Sequence, residues 1–295
     1  MASVSLRSGL GNLERYVHSI SPFDHTRHEP IGGVGCARNR SHFLRNGSLT
    51  FVTLWFASWL LGGLVSPVVA STIALDVGHS LAHPGATSAR GVPEFAFNRE
   101  LALVVRHVLE QQGFRVRLIG AQGDMSDLHA RTRAAVGADF FLSLHHDSVQ
   151  PRYLEAWVPE GIRRHFSDRF SGFSLFVSRS NPALSASLAC ASRLGAALRH
   201  AGFTPSAHHA EPIPGENRPF ADWANGVYYF DGLVVLKTAT QPALLLEAGI
   251  IVNRTDELAL QQPAVHAKIA AAIAEAMATC LPTEPSLVPP KGETP

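Results

Sequence analysis

Three polar residues sit where they could do chemistry together. His79 follows the run TIALDVG, His145 ends DFFLSL, and Glu247 ends PALLLE. An apolar strand gives its last side chain a rigid base, and a metal ligand needs that rigidity. Glu94 opens the stretch after His79 and can reach the same point. Two imidazoles and one carboxylate form a common catalytic zinc set, with a fourth position left for a water whose pKa falls to about 7. A further carboxylate must then carry the proton to a leaving group, and Glu247 is the residue available for it.

Each of these residues also has a plainer reading. A histidine at a strand end is more often hydrogen-bonded than ligating, and Glu94 can be a carboxylate favoured by a helix N-terminus. Glu247 resists such a reading. An acid directly after ALLL is poorly solvated and needs a cation or a proton. Asp76 and Asp147 stand beside the two histidines as acceptors for their second ring nitrogens, or as simple turn caps. There is no HExxH. The three cysteines, Cys36, Cys190 and Cys280, form no CxxC, so a thiolate zinc site is not expected.

The elements that must position these residues alternate between strand and helix patterns, which predicts one α/β domain with a mostly parallel twisted sheet flanked by helices. Strands are expected at 72–77, 114–119, 139–145, 173–178, 233–236 and 243–247. Helices are expected at 95–112, closed by Gly113, at 126–136 under a Ser126 cap, and at 182–200. A last helical region, 256–280, is broken by Pro263. Residues 149–171 read as a surface excursion, and 204–231 as a long irregular loop. His208 and His209 are expected to decorate that loop.

The 295 residues carry a formal charge of +1 with 46% hydrophobic residues, which points neither to nucleic acid nor to an acidic tail. Residues 1–48 lack an apolar period and read as a disordered or misannotated extension. Residues 49–70 contain an uncharged apolar run after Arg38, Arg40 and Arg45, then small residues ending at Ala70. That is the pattern of a signal peptide or a membrane anchor, with a buried helix as the alternative. The catalytic domain is expected at 71–281 and a disordered tail at 282–295.

The wording of the sequence resembles the zinc-dependent N-acetylmuramoyl-L-alanine amidases of the AmiC-like type. The first motif stands as Asp76-Val77-Gly78-His79, then Pro84-Gly85-Ala86, Gly91, Glu94 and Asn98. The second is Ser143-Leu144-His145-His146-Asp147-Ser148. The third runs from Val235-Leu236-Lys237 through Pro242 to Glu247-Ala248-Gly249, with Asn253. The resemblance implies a phosphorylase/hydrolase-like fold, one zinc ion on His79, Glu94 and His145, and Glu247 as catalytic acid/base. It also implies cleavage of the amide between N-acetylmuramic acid and L-alanine in peptidoglycan, by a periplasmic or secreted enzyme. An activator is left open, and the membrane enters only through the N-terminal segment. Ser80-Leu81-Ala82-His83 and His146 depart from the family's small residues, and 180–202 has no room for a long regulatory insertion.

The two irregular stretches supply a candidate substrate rim. Arg152, Arg163 and Arg164 could meet stem-peptide carboxylates, and Trp157 could lie against a sugar ring; Arg218, in a segment Asn217-Arg218-Pro219-Phe220 that resembles one leading into the family's third motif, and Asn98 are further substrate candidates. The plainer reading is a solvated loop with chance arginines. Two other readings stand beside this one: a zinc-binding wall-adhesion module without turnover, and a zinc peptidase on free stem peptides, which shares the metal chemistry but needs a different rim.

Overall fold

A computed structural model describes residues 70–281. The expectations for 1–48, for the apolar segment 49–69 and for 282–295 lie outside the described residues. In chain order the elements are β1 (Thr72–Val77), α1 (Glu94–Gln111), β2 (Arg115–Ile119), α2 (Leu128–Ala134), β3 (Phe140–Asp147), β4 (Glu155–Trp157), β5 (Arg164–Phe166), β6 (Ser174–Val177), α3 (Leu184–His200), β7 (Phe220–Asp222), β8 (Val227–Tyr229), α4 (Val234–Thr238), β9 (Ala243–Ile250), α5 (Arg254–Ala259) and α6 (Pro263–Cys280).

Seven strands form one sheet in the order β2-β1-β3-β9-β6-β8-β7. The pairs from β2 through β9, and β6 with β8, are parallel, whereas β6–β9 and β7–β8 are antiparallel. The expected mostly parallel α/β sheet is what forms. Its alternation sorts side chains onto two faces. Ile73, Leu75, Leu142, Leu144, Leu244 and Leu246 pack with α1, α3 and α6. Ala74, Phe141, Leu245, Phe176 and Tyr228 face the other way, against Val235 and Leu236 of α4. Each fully buried aliphatic side chain contributes about 1.5–3 kcal/mol.

That same alternation carries Asp76, Ser143, His145 and Glu247 to the α2/α4 face. His145 and Glu247 lie in the carboxyl-terminal halves of β3 and β9, which run parallel to β1 and continue past them to Asp147 and Ile250. His79 follows two residues after β1 in the left-handed backbone region, with φ 68°. A non-glycine residue held there costs of order 1–3 kcal/mol, so its surroundings must fix it.

Several expectations change. Residues 233–236 are not a strand: Val234–Thr238 is a helix, with the Thr238 hydroxyl donating to the Val234 carbonyl. A short apolar run carries no periodicity by which to separate the two. The stretch 204–231 holds β7 and β8, and β8 joins the main sheet beside β6. Three-residue strands are too short to show alternation. Within 149–171, β4 and β5 form an antiparallel hairpin. The cap of α2 is Asp127, which accepts from the His129 amide, while the Ser126 hydroxyl meets Ser80. Pro263 starts α6 instead of kinking one long helix, and Asn253 caps α5 by accepting from the Thr255 and Asp256 amides. Cys190 and Cys280, whose pairing the sequence left open, form a disulfide between α3 and α6 with Cα atoms 5.6 Å apart. Among the described residues no helix is long and apolar enough to cross a membrane.

Candidate metal centre

Glu94 is buried at the start of α1, and its carboxylate lies between the two histidines. Oε2 is 2.9 Å from His79 Nε2 and Oε1 is 3.0 Å from His145 Nδ1. The imidazole rings meet edge to face with centroids 4.9 Å apart. One ligand atom from each of the three residues falls within 4.8 Å of the others. Backbone and side-chain donors hold the carboxylate: the Ala86 amide donates to Oε2 and the Asn98 amide nitrogen to Oε1. Burial would raise its pKa, but hydrogen bonds and charge from His145 and His79 hold it well below the usual carboxylate range.

Two glycines make the approach possible. A Cβ on Gly78 would lie 2.3 Å from His145 Nε2, so the imidazole rests directly on that backbone. At Gly85, with φ +80°, a Cβ would lie 2.4 Å from Glu94 Oε2 and 2.8 Å from His79 Nε2. Space is thus kept open around three nitrogen and oxygen donors of the type that a zinc ion takes, and the residues present fit such an ion.

Glu247 stands beside His145 in the parallel register of β3 and β9. Together with His79, His145, Leu233, Val234 and Leu128 it lines an open pocket of about 460 Å³. One carboxyl oxygen is buried without a hydrogen-bond partner. Burial first, then the negative charges of Asp147 and Glu94, push its pKa well above the ordinary value. A carboxyl placed this way holds a proton readily and releases it when a positive charge arrives.

The other expected residues separate. Asp76 does not support a histidine: it pairs with buried Arg131 at 2.7 Å and accepts from the Ser143 hydroxyl at 2.8 Å. Arg131 also donates to the carbonyl of His79, which ties α2 to the strained backbone there. Asp147 likewise meets neither His79 nor His145, but His209 at 2.8 Å and His208 at 3.2 Å. Those two histidines are buried and do not merely decorate a loop. Burial would lower the His209 pKa, yet Asp147 and Glu216 raise it to about 9.

Asn98 is fully buried behind the ligands; it donates to Gly78 and Glu94 and accepts from His146 Nδ1. His146 lies on the α1 face, and burial lowers its pKa to about 3. Trp157 packs against its own chain: its indole nitrogen donates to the Ala89 carbonyl, and the guanidinium groups of Arg90 and Arg254 lie over its ring. Arg218 is held by Glu216 and lies over Phe230. Arg152 is exposed on a single turn. Arg163 and Arg164 line a second surface pocket with Ala86, Ser88 and Ser148. Sequence reasoning did not single out Arg131, and it gave Gly78 and Gly85 no part of their own. Only their position beside the first histidine hinted at it.

Two imidazoles and two carboxylates gathered toward the carboxyl side of an α/β sheet are groups that a hydrolytic enzyme can use. Residues 73–279 match the family model described as N-acetylmuramoyl-L-alanine amidase, and the chain belongs to that family. It is an amidase that acts on peptidoglycan. Solved structures agree in fold. The amidase Ami1 from Mycobacterium smegmatis is 20% identical with a TM-score of 0.57, over 72% of this chain and 97% of that one. The catalytic domain of CwlV from Bacillus (Paenibacillus) polymyxa var. colistinus is 24% identical with a TM-score of 0.53, over 70% and 96%. No curated protein matches the sequence.

Proposed function

We propose that this amidase is zinc-dependent, that His79, Glu94 and His145 hold the ion, and that Glu247 is its general acid/base. The reading is carried by the carboxylate of Glu94 lying between His79 Nε2 and His145 Nδ1 while Gly85 leaves the space beside them clear. When bound, the ion polarises the scissile carbonyl and lowers the pKa of a water. Glu247 takes the proton from the attacking water and hands it to the departing amine of L-alanine. Its partnerless oxygen and raised proton affinity suit both halves of that transfer. Asn98 and the Ala86 amide keep Glu94 turned toward the histidines.

The pocket is open, as a polymeric substrate requires. Of the rim residues, Arg163 and Arg164 are the ones left facing a pocket, and we assign them to stem-peptide carboxylates. Peptidoglycan lies outside the cytoplasmic membrane, so we also infer export, periplasmic or secreted, through the segment 49–70.

The test is to incubate purified protein with intact sacculi, with and without a chelator. Stem peptides beginning with L-alanine, released only when zinc is present, are the expected products. Binding without release, cuts inside the stem, or full activity after metal removal would each overturn the reading.

A further inference from the structure

Asp147 lies two residues beyond His145 on β3, and its surroundings are unusual. The Nε2 atoms of His209 and His208 approach the same carboxylate oxygen, Oδ2, at 2.8 and 3.2 Å. The other ring nitrogen of each histidine is already engaged. His209 Nδ1 is 2.8 Å from Glu216 Oε2, and His208 Nδ1 is 2.9 Å from the Ser206 hydroxyl. His209 thus lies between two carboxylates, Glu216 at Nδ1 and Asp147 at Nε2. Its Nε2 therefore faces Asp147 across a position that a cation, proton or metal, fills. His208 Nε2 is buried, with no hydrogen-bond partner of acceptable geometry. A metal ion among these atoms would take the place of the proton between His209 and Asp147 and give the buried His208 nitrogen a partner.

We infer that Asp147, His208 and His209 form a second binding site for a divalent transition-metal ion. One ligand atom from each falls within 4.8 Å of the others. Two donors on one ion at about 2.1 Å stand roughly 3–3.5 Å apart, close to the separations found here. Glu216 and Ser206 take the place of the acceptors that normally orient ligating imidazoles from behind. Two imidazoles and one carboxylate select zinc or cobalt over calcium or magnesium. The rings of His208 and His209 lie 3.8 Å apart, with Phe170 against the first and Phe176 and Tyr228 against the second. An ion there joins β3, the strand that carries His145, to the segment between α3 and β7, and its role is to pin that segment.

The experiment strips the full chain with a chelator, adds back zinc chloride, and counts ions per chain by native mass spectrometry while following the melting temperature. His209→Ala and the milder His208→Gln should each bind one ion fewer than the parent and lose part of the zinc-induced rise in melting temperature. His79→Ala should also bind one fewer, and a third variant, His79→Ala with His209→Ala, two fewer. If His209→Ala or His208→Gln keeps the parent's count, or if His79→Ala removes all specific binding, the second site does not exist. If the His209 variant cannot fold, the parent and His79→Ala counts decide the matter alone. Loss of an ion in His209→Ala but not in His79→Ala would keep this site and sink the first.

Discussion

His145 and Glu247 are registered neighbours on β3 and β9. Adjacent strands lie about 4.8 Å apart, so a ladder of backbone hydrogen bonds, and no loop, sets the carboxyl beside the imidazole. The geometry therefore survives a conservative change of the side chain. In Glu247→Gln the hydrolysis of sacculi should fall about 10²–10⁴-fold, with the zinc content of the protein unchanged. Normal turnover in that variant would exclude Glu247 as the proton carrier.

Gly78→Ala places a methyl group inside the His145 ring. The imidazole must move, and zinc affinity should drop by at least about tenfold. Gly113→Ala is the control: φ is +87°, nothing lies within 4 Å of the added carbon, and only about 1–2 kcal/mol of backbone strain is expected. Isothermal titration of the two apoproteins with zinc separates them. Equal affinities would show that the His145 ring has room to yield.

Asn98→Ala frees the Glu94 carboxylate and leaves His146 Nδ1 and the Gly78 carbonyl without their partner. Zinc affinity should fall about 10–100-fold, and stability by about 1–3 kcal/mol. Denaturant melts and metal titration read the two effects independently. A loss of substrate affinity with metal binding intact would return Asn98 to the substrate site.

Arg131→Met strands Asp76 as a buried, unpaired carboxylate. Breaking such a pair costs about 3–5 kcal/mol, and adding Asp76→Asn should recover much of it. Urea unfolding of the single and double variants forms the cycle. Additive losses would mean that the pair is not coupled.

Reduction of Cys190–Cys280 opens a link across 90 residues of chain and should cost about 2–4 kcal/mol. The bond lies between α3 and α6, on the sheet face opposite Glu247. Melting should shift down by several degrees, while the hydrolytic rate at room temperature stays the same. Scanning calorimetry with and without reductant, paired with the sacculus assay, measures both.

The strands that bear the candidate site were legible because long apolar runs such as TIALDV and PALLLE have few ways to be buried. The family wording placed His79, Glu94, His145 and Glu247 in one set. What stayed illegible was short or depended on a distant partner. Nothing local distinguishes the helix at Val234–Thr238 from a strand, and three residues cannot display the alternation of β8.

By itself, then, the sequence determined the alternating α/β order and the residue types able to hold an ion. Period and burial act along the chain, where they can be read. The tertiary structure alone decided which polar group each residue met. It gave Asp76 to Arg131, Asp147 to His208 and His209, Asn98 to His146, and Trp157 to two arginines. Those choices depend on charges and donors that lie tens of residues apart in sequence and become neighbours only when the sheet closes its ladder.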